Sequence, residues 1–242
     1  MMKHLWITFA LAFLFSQGFA ATPVVLRIGV YEHVTQFKVI QELQEYIIDA
    51  LKRENIDVIY LPTPLLRGAS LIESGSLDGE MPSSKENLKY FSNITYLKNP
   101  VIFTNLKIVY LRANKKYSYE NLPNLQGAIT LNNTILKDLS DKRSLQTTEV
   151  PTIPQAFEVL EKQRVDYLIL SEDIAKGFMK AEPQKGNLFA IDSRFSELVP
   201  LYFAINSKKS FLLPKIEKAL RAACQGDLQK YPHIKDLINK TL

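Results

Sequence analysis

The chain has 242 residues, 46% hydrophobic and 23% charged, with 30 Lys and Arg against 25 Asp and Glu and a formal net charge of +5. That is a globular composition, long enough for one large domain or two small ones, and no low-complexity tract argues for a disordered or fibrous chain. The basic surplus is spread along the chain, and its densest group, Lys107, Arg112, Lys115 and Lys116, has only Tyr110 and Tyr117 as interleaved aromatics, so no nucleic-acid partner is expected.

Lys3 and His4 precede a continuous apolar run over 5–15, too short to span a membrane, and Gly18-Phe19-Ala20 places small residues where a signal peptidase reads. Residues 1–20 are therefore read as a secretory signal peptide cut after Ala20, with the mature protein in the periplasm. No Cys follows the cut to carry a lipid anchor. Residues 24–31, VVLRIGVY, suit a buried parallel strand. A helix follows over 36–54, with Val39, Ile40, Leu43, Tyr46, Ile47, Ala50 and Leu51 on one face. A second strand is expected over 57–61.

Thr63 can cap a helix over 64–74, Pro64 suits its first position, and Leu65, Leu66, Ala69 and Ile72 recur at helical spacing. Gly75 ends that helix, and 77–81 returns as a third strand. This β-α-β-α-β series predicts a parallel three-layer lobe. The stretch 83–99 reads as polar and irregular, anchored by Tyr90, Phe91 and Tyr96. A long strand over 100–111 is suited to crossing between lobes.

Beyond a turn at 121–124 come a strand (127–131), a helix from 135 to about 139, a strand (147–150), an amphipathic helix (154–163), a buried strand (165–170) and a helix (172–180). Strands over 188–191 and 198–205 and helices over 213–223 and 233–240 close the chain. Leu160-Glu161-Lys162-Gln163-Arg164-Val165-Asp166 repeats the pattern of Ile72-Glu73-Ser74-Gly75-Ser76-Leu77-Asp78, so the same helix–turn–strand unit occurs in each half. The expected fold is α/β with two lobes: 21–107 plus 201–242, and 108–200, joined by two crossover strands.

Cys224 is the only cysteine, so no internal disulfide forms, and its apolar helix makes it a packed side chain. No His, Cys or carboxylate grouping has metal-ligand spacing, and there is no Gly-rich phosphate loop, G-x-S-x-G or H-E-x-x-H. No metal or cofactor is expected.

The layout resembles the type II periplasmic solute-binding proteins, in particular the polar amino-acid-binding proteins of ABC transporters. The matching residues are Arg27-Ile28-Gly29-Val30, Leu71-x-x-x-Gly75-x-Leu77-Asp78-Gly79-Glu80, Tyr90-Phe91-Ser92-x-x-Thr95-Tyr96, Leu125-x-Gly127, and Ala156-x-x-x-Leu160 leading to Val165-Asp166. The resemblance implies two lobes closing on a small polar ligand, delivery to an ABC transporter permease, or to a membrane sensor in a rival reading, and a monomeric protein that is not an enzyme. A second rival is a dehydratase-like enzyme on the same fold, for which Glu32, Glu80 or Glu172 could serve as acid or base.

Two positions depart from the family pattern. Met81-Pro82-Ser83-Ser84-Lys85 has no Arg to hold a ligand carboxylate, and Ser171 stands where an acid would hold an ammonium group. In such a fold the ligand lies outside the carboxyl ends of strands, near helix N-termini. The candidate contacts are therefore Tyr31 and Glu32 after strand one, Arg67 early in the second helix, and Ser83 and Ser84 after strand three. Asn133 and Thr134 open the first helix of lobe two, and Ser171 and Glu172 end the Val-Asp strand. Each has a plainer alternative: a solvated loop for Glu32, a surface ion pair for Arg67, turns for the serines, a helix cap for Thr134. Tyr202 lines the second crossover or packs in the core, and Asp78 and Asp166 fix turns.

Overall fold

The computed structural model describes residues 22–89 and 91–238. The expected signal peptide, its cleavage point and Tyr90 lie outside the described residues.

β1 (Val24–Tyr31) pairs in parallel with β2 (Ile56–Thr63) on one side and β3 (Gly79–Ser83) on the other. The intervening chain forms α1 (Lys38–Lys52) and α2 (Leu65–Glu73). α1 buries the seven apolar residues expected of it, each worth roughly 1.5–3 kcal/mol for the larger side chains. Thr63 does not cap α2. It ends β2, with its hydroxyl 3.5 Å from the Val30 carbonyl, and Pro64, extended at ψ 143°, takes the cap position, so the helix begins one residue later.

The stretch 83–99 is more ordered than expected. It holds a one-turn helix α3 (Lys85–Leu88) and β4 (Ile94–Tyr96), whose polar neighbours hid a three-residue strand. Residues 97–101 then lead into β5 (Ile102–Leu111), the outgoing crossing strand, which continues into the second lobe. There follow β6 (Gln126–Thr130), α4 (Thr134–Lys142), β7 (Gln146–Val150), α5 (Ile153–Glu161) and β8 (Tyr167–Ser171). Next are α6 (Glu172–Ala181) and the short α7 (Pro183–Gly186). β9 (Phe189–Asn206) returns the chain, and α8 (Leu213–Cys224) and α9 (Lys235–Ile238) close the described fold.

β9 is one strand of 18 residues, not two. The polar stretch between the expected strands is held at its two ends, where Asp192 and Glu197 pair with β5 on either side of a register shift, and Arg194 forks onto Asp192, which also accepts from Tyr117. β9 pairs with β5 from Phe189 to Leu201, then with β3 and β4 from Tyr202 onward. The strand order is β2-β1-β3-β9-β5-β8-β6-β7, with β4 also on β9. The outgoing chain keeps hold of the returning one across the junction, through Leu97 N–H to Phe203 O at 3.0 Å and Val101 N–H to Leu201 O at 2.8 Å.

The largest apolar cluster runs through both lobes, from Leu26 and Ile47 to Phe157, Leu168 and Phe189, so on that side the lobes share a core. Separate clusters fill the opposite faces: Ala69, Ile72 and Leu77 under α2, and Ile129, Leu136 and Leu139 under α4.

The repeated helix–turn–strand unit is the same device twice. Asp78 accepts the Arg27 N–H at 2.8 Å and returns its own N–H to the Arg27 carbonyl at 2.8 Å. Asp166 does the same with Gln126, at 3.1 and 2.6 Å. Both aspartates fix turns, as expected. Gly75 lies at φ 79° and Gln163 at φ 53°, so the second copy places a side chain in the left-handed region.

Candidate functional site

The C-terminal ends of three strands meet at one cavity: Tyr31 from β1, Thr130 from β6 and Ser171 from β8. Its volume is about 170 Å³, room for roughly six waters. The first lobe supplies Tyr31, Val34, Ile40 and Pro82, the second Asn133 and Ile135, and Phe103 and Leu201 close the back on the crossing chains.

Of the candidate residues, Tyr31, Asn133 and Ser171 line this cavity. Tyr31 meets His33 edge to face, and burial with the nearby Glu32 raises its phenol. Asn133 caps α4 by accepting the Leu136 N–H at 3.2 Å, a role that the sequence reading offered to Thr134. Thr134 is the first residue of α4. Ser171 accepts a 2.7 Å hydrogen bond from Thr104, a polar position in the crossing strand that sequence reasoning missed. The signal was present, since Thr104 and Asn105, with Lys107 beyond them, interrupt a largely apolar run.

The other candidates are not among the lining residues. Glu172 turns to Asn105 at 3.2 Å and Lys176 at 2.6 Å; burial alone would raise its carboxyl, but Lys176 and Lys107 hold it below its ordinary value. Glu32 lies 3.7 Å from His33 on the turn after β1. Arg67 is exposed on the first turn of α2. Ser83 and Ser84 are buried at the end of β3, where Ser83 pairs with Tyr202, and Lys85 sits 4.3 Å over the Tyr202 ring.

Glu80, a residue of the repeat unit, is fully buried on β3. Its Oε2 has no hydrogen-bond partner, and a Cβ at Gly68 would come within 2.7 Å of it. Burial pushes this carboxyl up to about 7; Ser83 lies close enough to offset that slightly but makes no well-formed hydrogen bond. Glu80 does not line the cavity. Cys224, half-buried at the end of α8, has its thiol raised by burial, which keeps it unreactive. Among the described residues no group of three or more His, Cys, Asp or Glu could hold a metal ion.

No family model and no curated protein sequence matches the chain. Solved structures do match it. An ancestral arginine-binding protein bound to glutamine has a TM-score of 0.66 at 21% identity, covering 89% of this chain and 96% of that one. The GluR0 ligand-binding core from Nostoc punctiforme in complex with L-glutamate has a TM-score of 0.65 at 16% identity, covering 90% and 98%. The ancestral amino-acid-binding protein AncCDT-1, described as a precursor of cyclohexadienyl dehydratase, has a TM-score of 0.67 at 18% identity, covering 88% and 95%. At these identities the likeness establishes the fold, the two-lobed α/β fold of type II periplasmic amino-acid-binding proteins.

Proposed function

We propose that the protein is an exported solute-binding protein that holds a small molecule between its lobes and hands it to an ABC transporter permease. The observation that carries this reading is the cavity itself, built by both lobes at the carboxyl ends of β1, β6 and β8. Ligand biases the lobes toward closure only through higher affinity for the closed state. The outgoing and returning chains are hydrogen-bonded to each other where they cross, and these paired segments are the hinge in this reading. The reading includes a monomer in the periplasm, released by cleavage after Ala20.

An enzymatic role needs an acid or base that reaches the substrate. Glu80 is buried away from the cavity, Glu172 is held by Lys176 and Asn105, and Glu32 is not among the lining residues; Asp173 is a single carboxylate with no His, Lys or second acid among the described lining residues, so the binding reading is preferred. Native mass spectrometry of freshly purified protein tests it: a carried-over small molecule is expected, with a decrease in radius of gyration by small-angle scattering when that molecule is added back. Absence of any bound species, with no compaction by any metabolite in a broad panel, would overturn it.

A further inference from the structure

The walls of the cavity specify what the ligand is made of. Val34 and Ile40 face it from the first lobe, Ile135 and Ile174 from the second, and Ile102 and Leu201 from the crossing chains. No Lys or Arg is among the described residues that line it, and Asp173 is the one charged residue there. Apart from the Tyr31 phenol of the first lobe, the polar groups gather on the second-lobe rim: Thr130 and Asn133 lead into α4, Ser171 and Asp173 open α6, and Thr104 reaches Ser171 from β5. Arg67, the first-lobe cation expected nearby, points to solvent on α2.

With the head group already occupying the rim where Asp173 stands, a guanidinium, a side-chain amide or a second carboxylate lodged against the aliphatic walls would lose its water and find no partner there. An apolar body would displace water from a surface that cannot hydrogen-bond it, which is favourable. Resting on the binding reading above, we infer that the ligand has a compact apolar body seated against the first-lobe and crossing-chain walls, and one polar head turned to the rim of the second lobe. That is the chemistry of a branched-chain amino acid, or of the acid or amine with the same carbon skeleton. It is not the chemistry of the glutamine and glutamate held by the structural neighbours.

Calorimetric titration of the exported protein, stripped of bound material, tests this with leucine, isovalerate and isopentylamine against glutamine, glutamate and arginine. At least one of the first three is expected to bind about a hundred-fold more tightly than any of the last three, the factor set by burying an unpaired polar or charged group. Which of the three binds best identifies the head group. Ile135→Glu, at a half-buried position, adds a carboxylate to the wall and is expected to abolish that binding while the melting temperature holds. Phe103→Gln repeats the test from the crossing strand if the first variant folds poorly.

Tighter binding of glutamine, glutamate or arginine overturns the inference and leaves the binding reading intact. So does failure of all three apolar probes at millimolar concentration when mass spectrometry finds a bound polar molecule. An apolar probe that binds both cleft variants as well as the parent lies elsewhere on the protein and overturns the inference too.

Discussion

Glu80 is a carboxyl group whose ionisation folding opposes. It lies beside Thr63, Gly68, Ser83 and Tyr96, and among the described residues no cation offsets its burial. Its ordinary value of 4.5 is raised to about 7 by burial, so the folded state binds this proton more tightly than the unfolded chain does. Stability from this group is therefore complete below about pH 4.5 and falls as pH rises toward 7, then levels off. The loss over that window is of order 3 kcal/mol. Asp192 has the opposite sign: Arg194 and Tyr117 overcome the effect of burial and hold it at about 2, so its contribution is lost only in acid below 3.8. Between pH 5 and 8 the slope then reports Glu80 rather than Asp192. Urea unfolding at pH 5 and pH 8 should show the protein weaker at pH 8, and Glu80→Gln, which keeps the neutral shape, should remove most of the difference. An unchanged slope in that variant would place the proton elsewhere.

The helix–turn–strand units show what local chemistry can and cannot announce. The unit ending at Asp78 was legible because each residue in it is chosen for a local reason: Gly75 for a left-handed backbone, Asp78 to accept the N–H that opens the neighbouring strand. Its twin at Asp166 was legible by pattern alone, although Gln163 occupies the glycine position. A non-glycine residue there costs roughly 1–2 kcal/mol, part of which is returned because glycine is freer in the unfolded chain. Gln163→Gly is accordingly expected to stabilise the protein by about 0.5–1 kcal/mol, and Gly75→Ala to destabilise it by about 1 kcal/mol. A Cβ at Gly75 would touch nothing within 4 Å, so the second value isolates backbone conformation from packing. Denaturant midpoints measure both, and a loss of stability in Gln163→Gly would refute the argument. The polar middle of β9 was not legible, because its ends, Asp192 and Glu197, are held by pairing with β5 around a register shift, and β5 lies some ninety positions away in the chain. The apolar cavity walls were hidden for a related reason. Ile102, Ile135 and Leu201 read as core in any sequence, and only the meeting of three segments exposes them to one space.

At the scale of the whole molecule the lobes meet over one shared apolar cluster, and the cavity is set into it: Val39, Ile40, Ile102, Ile153 and Ile174 belong to the cluster and line the cavity. The contact is extended where Phe37, just before α1, packs on Gly177 in α6. A Cβ at Gly177 would lie 2.9 Å from the Phe37 ring, closer than real contacts allow. Phe37 is buried and backed by the core, so a larger residue at 177 must displace α6 from α1. Gly177→Leu therefore acts as a wedge between lobes. Leucine favours the helix over glycine by roughly 0.8–1 kcal/mol, which offsets part of the strain and keeps the second lobe folded. Gly177 does not line the cavity, so any change in ligand affinity comes from the lobe equilibrium. If the wedge shifts the binding-competent arrangement from dominant to one part in ten, the apparent affinity falls about ten-fold, with no contact to ligand altered. Scattering should show a larger radius of gyration for the unliganded variant, and saturating ligand should restore the parent value. A variant that binds and scatters like the parent would mean that the Phe37–Gly177 contact yields without moving the lobes, and that closure is governed at the crossing strands alone.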